Sequence, residues 1–101
     1  MTTTINQHDG ITNIAINGRL DSVTAPQFDS EVAHICSTDS RGDIIIDCAG
    51  MEYISSAGLR SFITLLKSSK AAGRSLELQN LSASIRAIFD MTGFTSIFNI
   101  R

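Results

Sequence analysis

The spacing of apolar positions changes along the chain, and each change predicts an element. The run ITNIAINGRL sets Ile14 and Ile16 among polar or small residues, the pattern of a strand with one buried face. Before it, the threonine-rich residues around Ile5 read as a short strand, and His8-Asp9-Gly10 carries a turn signal, because glycine tolerates positive φ and aspartate favours turns. A β-hairpin is therefore the expected start. The spacing then becomes helical, with Phe28, Val32 and Ile35 on one face. Thr24 with Gln27 three residues on resembles a capping box, and Pro26 falls in the first turn, where its missing N–H costs nothing. A helix over 24–37 is predicted, followed by a turn at Ser40-Arg41-Gly42.

The block DIIID, Asp43 to Asp47, is β-branched and bounded by acids, which fits a central strand covered on both faces. Past it, Leu59, Phe62, Ile63 and Leu66 fall at i, i+3, i+4 and i+7 and form one helical stripe. Lys67 and Lys70 lie in the last turn of that helix, where cations suit its dipole, and Gly73 is placed to end it. SLELQN gives a short strand with Leu76 and Leu78 on one face. Ser82 opens another helix carrying Ile85, Ile88 and Phe89, with Gly93 as its left-handed terminator and Phe94 as the apolar contact that accompanies it. Ser96 to Ile100 completes the pattern as an edge strand. The order β-β-α-β-α-β-α-β predicts an α/β fold: a mixed, mostly parallel sheet of four to five strands, right-handed crossovers, and three or more helices that cover one face more than the other.

At 101 residues the chain fits a single domain spanning 1–101, able to bury roughly two thirds of its unfolded surface without disulfides or metal. Charged residues are only 18% and the net charge is -2, which argues against a nucleic-acid partner, since phosphate contacts need a basic face. No apolar stretch is long enough to span a bilayer, and the N-terminus lacks a signal-peptide pattern, so a cytoplasmic protein is expected. Cys36 and Cys48 have no C-x-x-C spacing and sit in apolar context, the setting of buried reduced thiols. His8 and His34 are isolated, so neither a metal nor a cofactor is expected.

The candidate chemistry lies in DCAGMEYISSAGLR, Asp47 to Arg60, where the chain leaves a strand and enters a helix. A helix start has unsatisfied N–H groups and partial positive charge, and one serine there caps it for about 1 kcal/mol. Two adjacent serines, Ser55 and Ser56, followed by the small pair Ala57-Gly58, leave one hydroxyl in surplus at a junction open to a docking partner. Ser56 lacks the flanking glycines of a nucleophile elbow, and no catalytic residue is expected. Asp47 reads as a strand terminator or the cap of the following turn, Asp21 as a turn residue, and Leu59 as core. Met51 and Tyr53 are either core contacts or, if they face outward, the apolar centre of a docking patch rimmed by Glu52 and Arg60.

Together with GRLDSVTAP upstream and AIFDMTGF downstream, this segment resembles the STAS domain of bacterial anti-sigma factor antagonists, over nearly the whole chain from about Ile5 to Ile100. The resemblance implies a partner-switching protein. It would bind an anti-sigma factor that is also a serine kinase of the GHKL type, thereby freeing a sigma factor; phosphorylation of one serine would end the binding, and a PPM-type serine phosphatase would reset it. The family's Ser-x-Gly-Leu motif places that serine at Ser56, with Ser55 the alternative acceptor. Asp21 matches the acidic residue of the family's Gly-x-Leu-Asp turn. The implied partner-binding surface takes in Asp21, Ser22, Thr24, Met51, Tyr53, Ser55, Ser56, Ala57, Gly58 and Arg60.

The chain departs from the family pattern in having Ser55 where many antagonists have aspartate, and Ala57 where serine or threonine is frequent. It also stops at Arg101 without the family's further C-terminal helix, which leaves that helix dispensable or its surface covered by a homodimer. The alternative function is a constitutive STAS binding subunit of a transporter, lipid-trafficking or signalling complex.

Overall fold

A computed structural model describes residues 1–37 and 42–101. Ser40 and Arg41 of the expected turn lie outside the described residues. The opening hairpin is β1 (Thr2–His8) and β2 (Ile11–Leu20), paired antiparallel over seven residue pairs. Asp9 and Gly10 join them with φ of 52° and 80°, the two positive values that a type I′ turn requires. There follow α1 (Ala25–Ser37), β3 (Ile44–Ile54), α2 (Ser56–Ala71), β4 (Leu76–Gln79), α3 (Ala83–Met91), a single 3₁₀ turn at Phe94–Ser96, and β5 (Asn99–Ile100). The five strands lie in the order β1-β2-β3-β4-β5, and every pairing after the hairpin is parallel. Among the described residues no helix is long and apolar enough to cross a membrane.

Burial alternates along β4 and the first parts of β2 and β3. Ile14 and Ile16 of β2, Ile44, Ile46 and Cys48 of β3, and Leu76 and Leu78 of β4 are buried together with Phe28, Val32, Phe62, Leu65, Ile85 and Phe89 from the helices. The helices thus cover one face. This corrects the expectation that DIIID is covered on both: Ile45, between its register partners Asn13 and Glu77, is only half-buried. An aromatic group closes the core. The Phe62 ring lies 5.8 Å from Phe28, 5.8 Å from Phe89 and 6.2 Å from Phe98, within the range of favourable ring pairs.

Two further expectations are revised, and a third is decided between its alternatives. The stripe on α2 is rotated: Gly58, Ser61, Phe62, Leu65 and Ser69 are buried, while Leu59, Ile63 and Leu66 are half-buried. Small residues let α2 approach its neighbours closely, and hydrophobicity alone does not mark them. The last strand shrinks from 96–100 to Asn99–Ile100, because Gly93 turns left-handed at φ 79° and Phe94 and Phe98 both enter the aromatic group, 5.6 Å apart. Of its two expected roles Asp47 takes the capping one and does not end β3. Its Oδ1 accepts the Ala49 N–H and an Asn80 side-chain N–H, each at 3.0 Å, while the strand runs on to Ile54.

Arg74 was not singled out by the sequence pattern, yet it is buried. Its guanidinium donates to Thr12 Oγ1 at 2.7 Å, Gly42 O at 3.0 Å and Ile35 O at 3.4 Å, tying β2 to the end of α1 and the entry to β3.

Candidate functional site

The extension of β3 decides which side chains reach the surface. Its pairing with β2 slips twice, between Ala15 and Asn17 and between Gly18 and Arg19, each time with one extra residue on β3. Each bulge reverses the alternation. Inward positions therefore run Ile44, Ile46, Cys48, then Met51, then Ile54. Met51 is 3% exposed and belongs to the core, so its expected place in a docking patch is corrected. The same slips turn Tyr53 outward, 39% exposed, beside its register partner Arg19. The Arg19 guanidinium lies 4.2 Å above the Tyr53 ring, a cation–π contact, and Arg19 Nε stands 3.8 Å from Asp21 Oδ2.

Asp21 and Thr24 form a reciprocal box one turn earlier than the predicted Thr24–Gln27 pair. Asp21 Oδ1 accepts the Val23 N–H at 3.0 Å and the Thr24 N–H at 3.2 Å, while Thr24 Oγ1 accepts the Asp21 N–H at 2.9 Å and donates to Arg19 O at 2.9 Å. This is capping-box chemistry with Asp21 as the cap. The shift has a simple cause: the Ala25 N–H donates to Asp21 O at 2.8 Å, so helical turning begins before Pro26. The Thr24 and Val23 amides hold the Asp21 carboxyl below the usual carboxylate range, with Arg19 adding a smaller push the same way.

The serine pair divides its work. Ser55 is the N-cap of α2, in extended conformation, and its Oγ accepts the Gly58 N–H at 3.4 Å. The Ser55 N–H donates to Leu20 O at 2.9 Å, which fastens the junction to the end of β2 and so beside Asp21. Ser56 is the first helical residue, exposed, and its hydroxyl makes no hydrogen bond among the described residues. Gly58 is buried beneath the junction rather than on its surface, a second correction to the expected patch. A Cβ there would meet Leu20 O at 2.7 Å.

Asp21, Ser22, Tyr53, Ser55, Ser56, Ala57 and Arg60 are thus gathered at one end of the sheet with at least partial exposure, and Thr24 is half-buried with its hydroxyl committed to the box. A groove of about 320 Å³ runs between Pro26 and Asp29 of α1 and Ala57, Arg60 and Thr64 of α2. Sequence reasoning missed Arg19 and Val23. Val23 is 84% exposed at the tip of the Asp21 turn. Its signal was an apolar residue out of phase with Phe28, Val32 and Ile35.

With this geometry in place, the comparisons with known proteins are consistent. The model of the family described as STAS domain matches residues 2–101, and the chain belongs to that family. A candidate anti-sigma factor antagonist named BtrV, from Bordetella bronchiseptica, is 31% identical over 100 residues, covering 99% of this chain and 85% of that protein. The crystal structure of a candidate anti-sigma factor antagonist from Thermotoga maritima overlays with a TM-score of 0.89 at 19% identity, covering 97% of this chain and 84% of that one. Bacillus SpoIIAA in its phosphorylated form overlays with a TM-score of 0.75 at 17% identity, covering 99% and 91%. At these identities the two structures speak to the fold.

Proposed function

We propose that this protein is an anti-sigma factor antagonist that works by partner switching. Its unmodified junction docks on an anti-sigma factor of the GHKL serine-kinase type, which releases a sigma factor. The kinase moves the γ-phosphoryl group of ATP to Ser56: the Oγ–P bond forms, the bond to the ADP oxygen breaks, and the hydroxyl proton passes to a base on the kinase. A PPM-type phosphatase hydrolyses the ester and restores the docking surface.

The observation that carries this reading is the division between Ser55 and Ser56. Ser55 satisfies the helix end, so Ser56 is free to be modified without uncapping α2. A phosphate there carries a charge of about -1.5 to -2 and sits by the positive end of the α2 dipole, which tolerates it within the fold. A partner packed over the junction would bury that dianion without a counter-charge, at a cost of several kcal/mol, and is expelled. Family membership and the naming of BtrV support the antagonist role.

The test is to capture binding proteins from the source cell on the immobilised chain, incubate them with it and ATP, and map phosphate by mass spectrometry. Phosphate on Ser56 is expected. Its absence from both Ser56 and Ser55 in the presence of an active captured ATPase would reject the switch.

A further inference from the structure

We infer that the outer edge of β1 pairs antiparallel with β1 of a second copy of this chain, around a two-fold axis at Ile5. The surface shares no residue with the Ser55–Ser56 junction, so the inference stands apart from the phosphorylation reading.

The hairpin geometry fixes which groups face outward. A two-residue turn closes on His8 and Ile11 as a hydrogen-bonded pair, and such pairs alternate along an antiparallel ladder. His8, Asn6, Thr4 and Thr2 therefore bond to β2. Thr3, Ile5 and Gln7 turn their N–H and C=O groups away from it, at the sheet edge. Directly opposed residues share a face, and Ile5 and Thr3 oppose Ile14 and Ile16, which are buried under the helices. The side chains beside the free backbone groups therefore point to the helix side, where Ile5 remains 41% exposed. There Ile5 and Gln7 line a cavity of about 560 Å³ with Ser30, Glu31, His34 and Ile35 of α1.

Proteins guard an edge strand with charge, proline, a bulge or shortness. β5 is guarded: it has two residues, and the adjoining Arg101 Nε bonds Glu77 at 2.9 Å. β1 is not. It holds register with β2 over all seven pairs, and Thr2 to Gln7 contains neither charge nor proline.

The edge is also self-complementary, which selects a second copy over other occupants. A two-fold at Ile5 sets Ile5 against Ile5 and Thr3 against Gln7, with no like charges opposed. α1 returns antiparallel to β2 and so runs alongside β1 in the same direction. Glu31 is level with Thr3, whose hydroxyl donates to it, and His34 lies further along with Ile5 and Gln7. The axis therefore brings Glu31 of one copy toward the His34 imidazole of the other, a carboxylate acceptor beside a ring that carries an N–H. One strand pair with the margins of two helices buries less than the roughly 1,200 Å² of a standard interface, so the dimer is reversible and concentration-dependent.

Sedimentation equilibrium across the micromolar-to-millimolar range tests this. The average mass should rise from 10.9 kDa toward twice that value, and Ile5→Lys, with an unchanged circular dichroism spectrum, should hold it at the monomer. A wild-type chain that stays monomeric at millimolar concentration overturns the proposal, as does an Ile5→Lys variant that dimerises equally well. Ile5→Cys supplies an independent readout. Hydrogen-bonded antiparallel pairs set their Cα atoms about 5.5 Å apart, within disulfide range. Mild oxidation should link the peptide bearing position 5 to its own copy. Intermolecular links through Cys36 or Cys48 alone would place the contact elsewhere.

Discussion

Ser55 Oγ accepts the Gly58 N–H at 3.4 Å, so Ser55 closes the start of α2 while the neighbouring Ser56 hydroxyl has no partner among the described residues. The two hydroxyls, adjacent in sequence, therefore differ in what their removal does to the fold. Ser55→Ala should lower unfolding free energy by about 1 kcal/mol, the usual worth of a serine cap, and Ser56→Ala should leave it within about 0.5 kcal/mol. Urea denaturation of the two variants measures this. A larger loss in Ser56→Ala would reverse the assignment of roles.

Gly58 sets two effects against each other. Alanine is the better helix former by about 1 kcal/mol, and propensity alone would make Gly58→Ala stabilising. The added methyl would lie 2.7 Å from Leu20 O, 2.8 Å from Ile54 Cγ1 and 2.9 Å from Leu20 Cγ. Leu20 O also accepts the Ser55 N–H, so it cannot retreat without losing that bond. Overpacking of this kind costs about 1–3 kcal/mol, and a net loss of stability is expected in thermal unfolding. A raised midpoint would mean that α2 can lift away from β2.

The Asp21 carboxylate is held below its ordinary range by the Thr24 and Val23 amides. The folded chain then binds fewer protons than the unfolded chain between the two pKa values. The contribution to stability is complete above the unfolded value of about 3.9 and is lost as pH falls through the lower folded value. Asp21→Asn keeps an acceptor oxygen and does not titrate. The stability gap between wild type and this variant should therefore shrink as pH drops through that window. A gap that stays constant with pH would show that the carboxylate gains nothing from the box.

The two cysteines should differ in reactivity. Burial, with a smaller contribution from the Asp47 charge, pushes the Cys48 thiol up to about 12, and partial burial raises Cys36 as well. The thiolate is the reactive form. A thiol-specific disulfide reagent at pH 8 should label Cys36 slowly and Cys48 only after denaturant is added. Equal labelling of both in the native chain would contradict the burial of Cys48.

Element types were legible wherever one rule governed. Asp9-Gly10 marked the hairpin turn, Ser82 the start of α3, and Gly73 and Gly93 the left-handed helix ends. What escaped depends on partners distant in sequence. The bulges of β3 arise in its pairing with β2, so Met51 and Tyr53 could not be sorted into inside and outside by alternation. Gly58, Ser61 and Ser69 are buried because α2 packs closely, which no hydrophobic stripe announces. Arg74 gave no signal in the sequence, since its acceptors on Thr12, Ile35 and Gly42 come from three separate segments. The Ser55–Ser56 surplus was legible because capping is local. The Arg19–Tyr53–Asp21 cluster beside it was not.

The central claim is that a dianion at Ser56, and not at its neighbour, governs docking. The direct measurement is calorimetry of the captured anti-sigma factor against three forms of this chain: unmodified, with phosphoserine installed at position 56, and with alanine there. The alanine form should bind like the unmodified chain, and the phosphorylated form should bind weaker by about 100-fold or more, the loss that several kcal/mol of dianion burial implies. Equal affinity of the phosphorylated and unmodified forms would contradict the account.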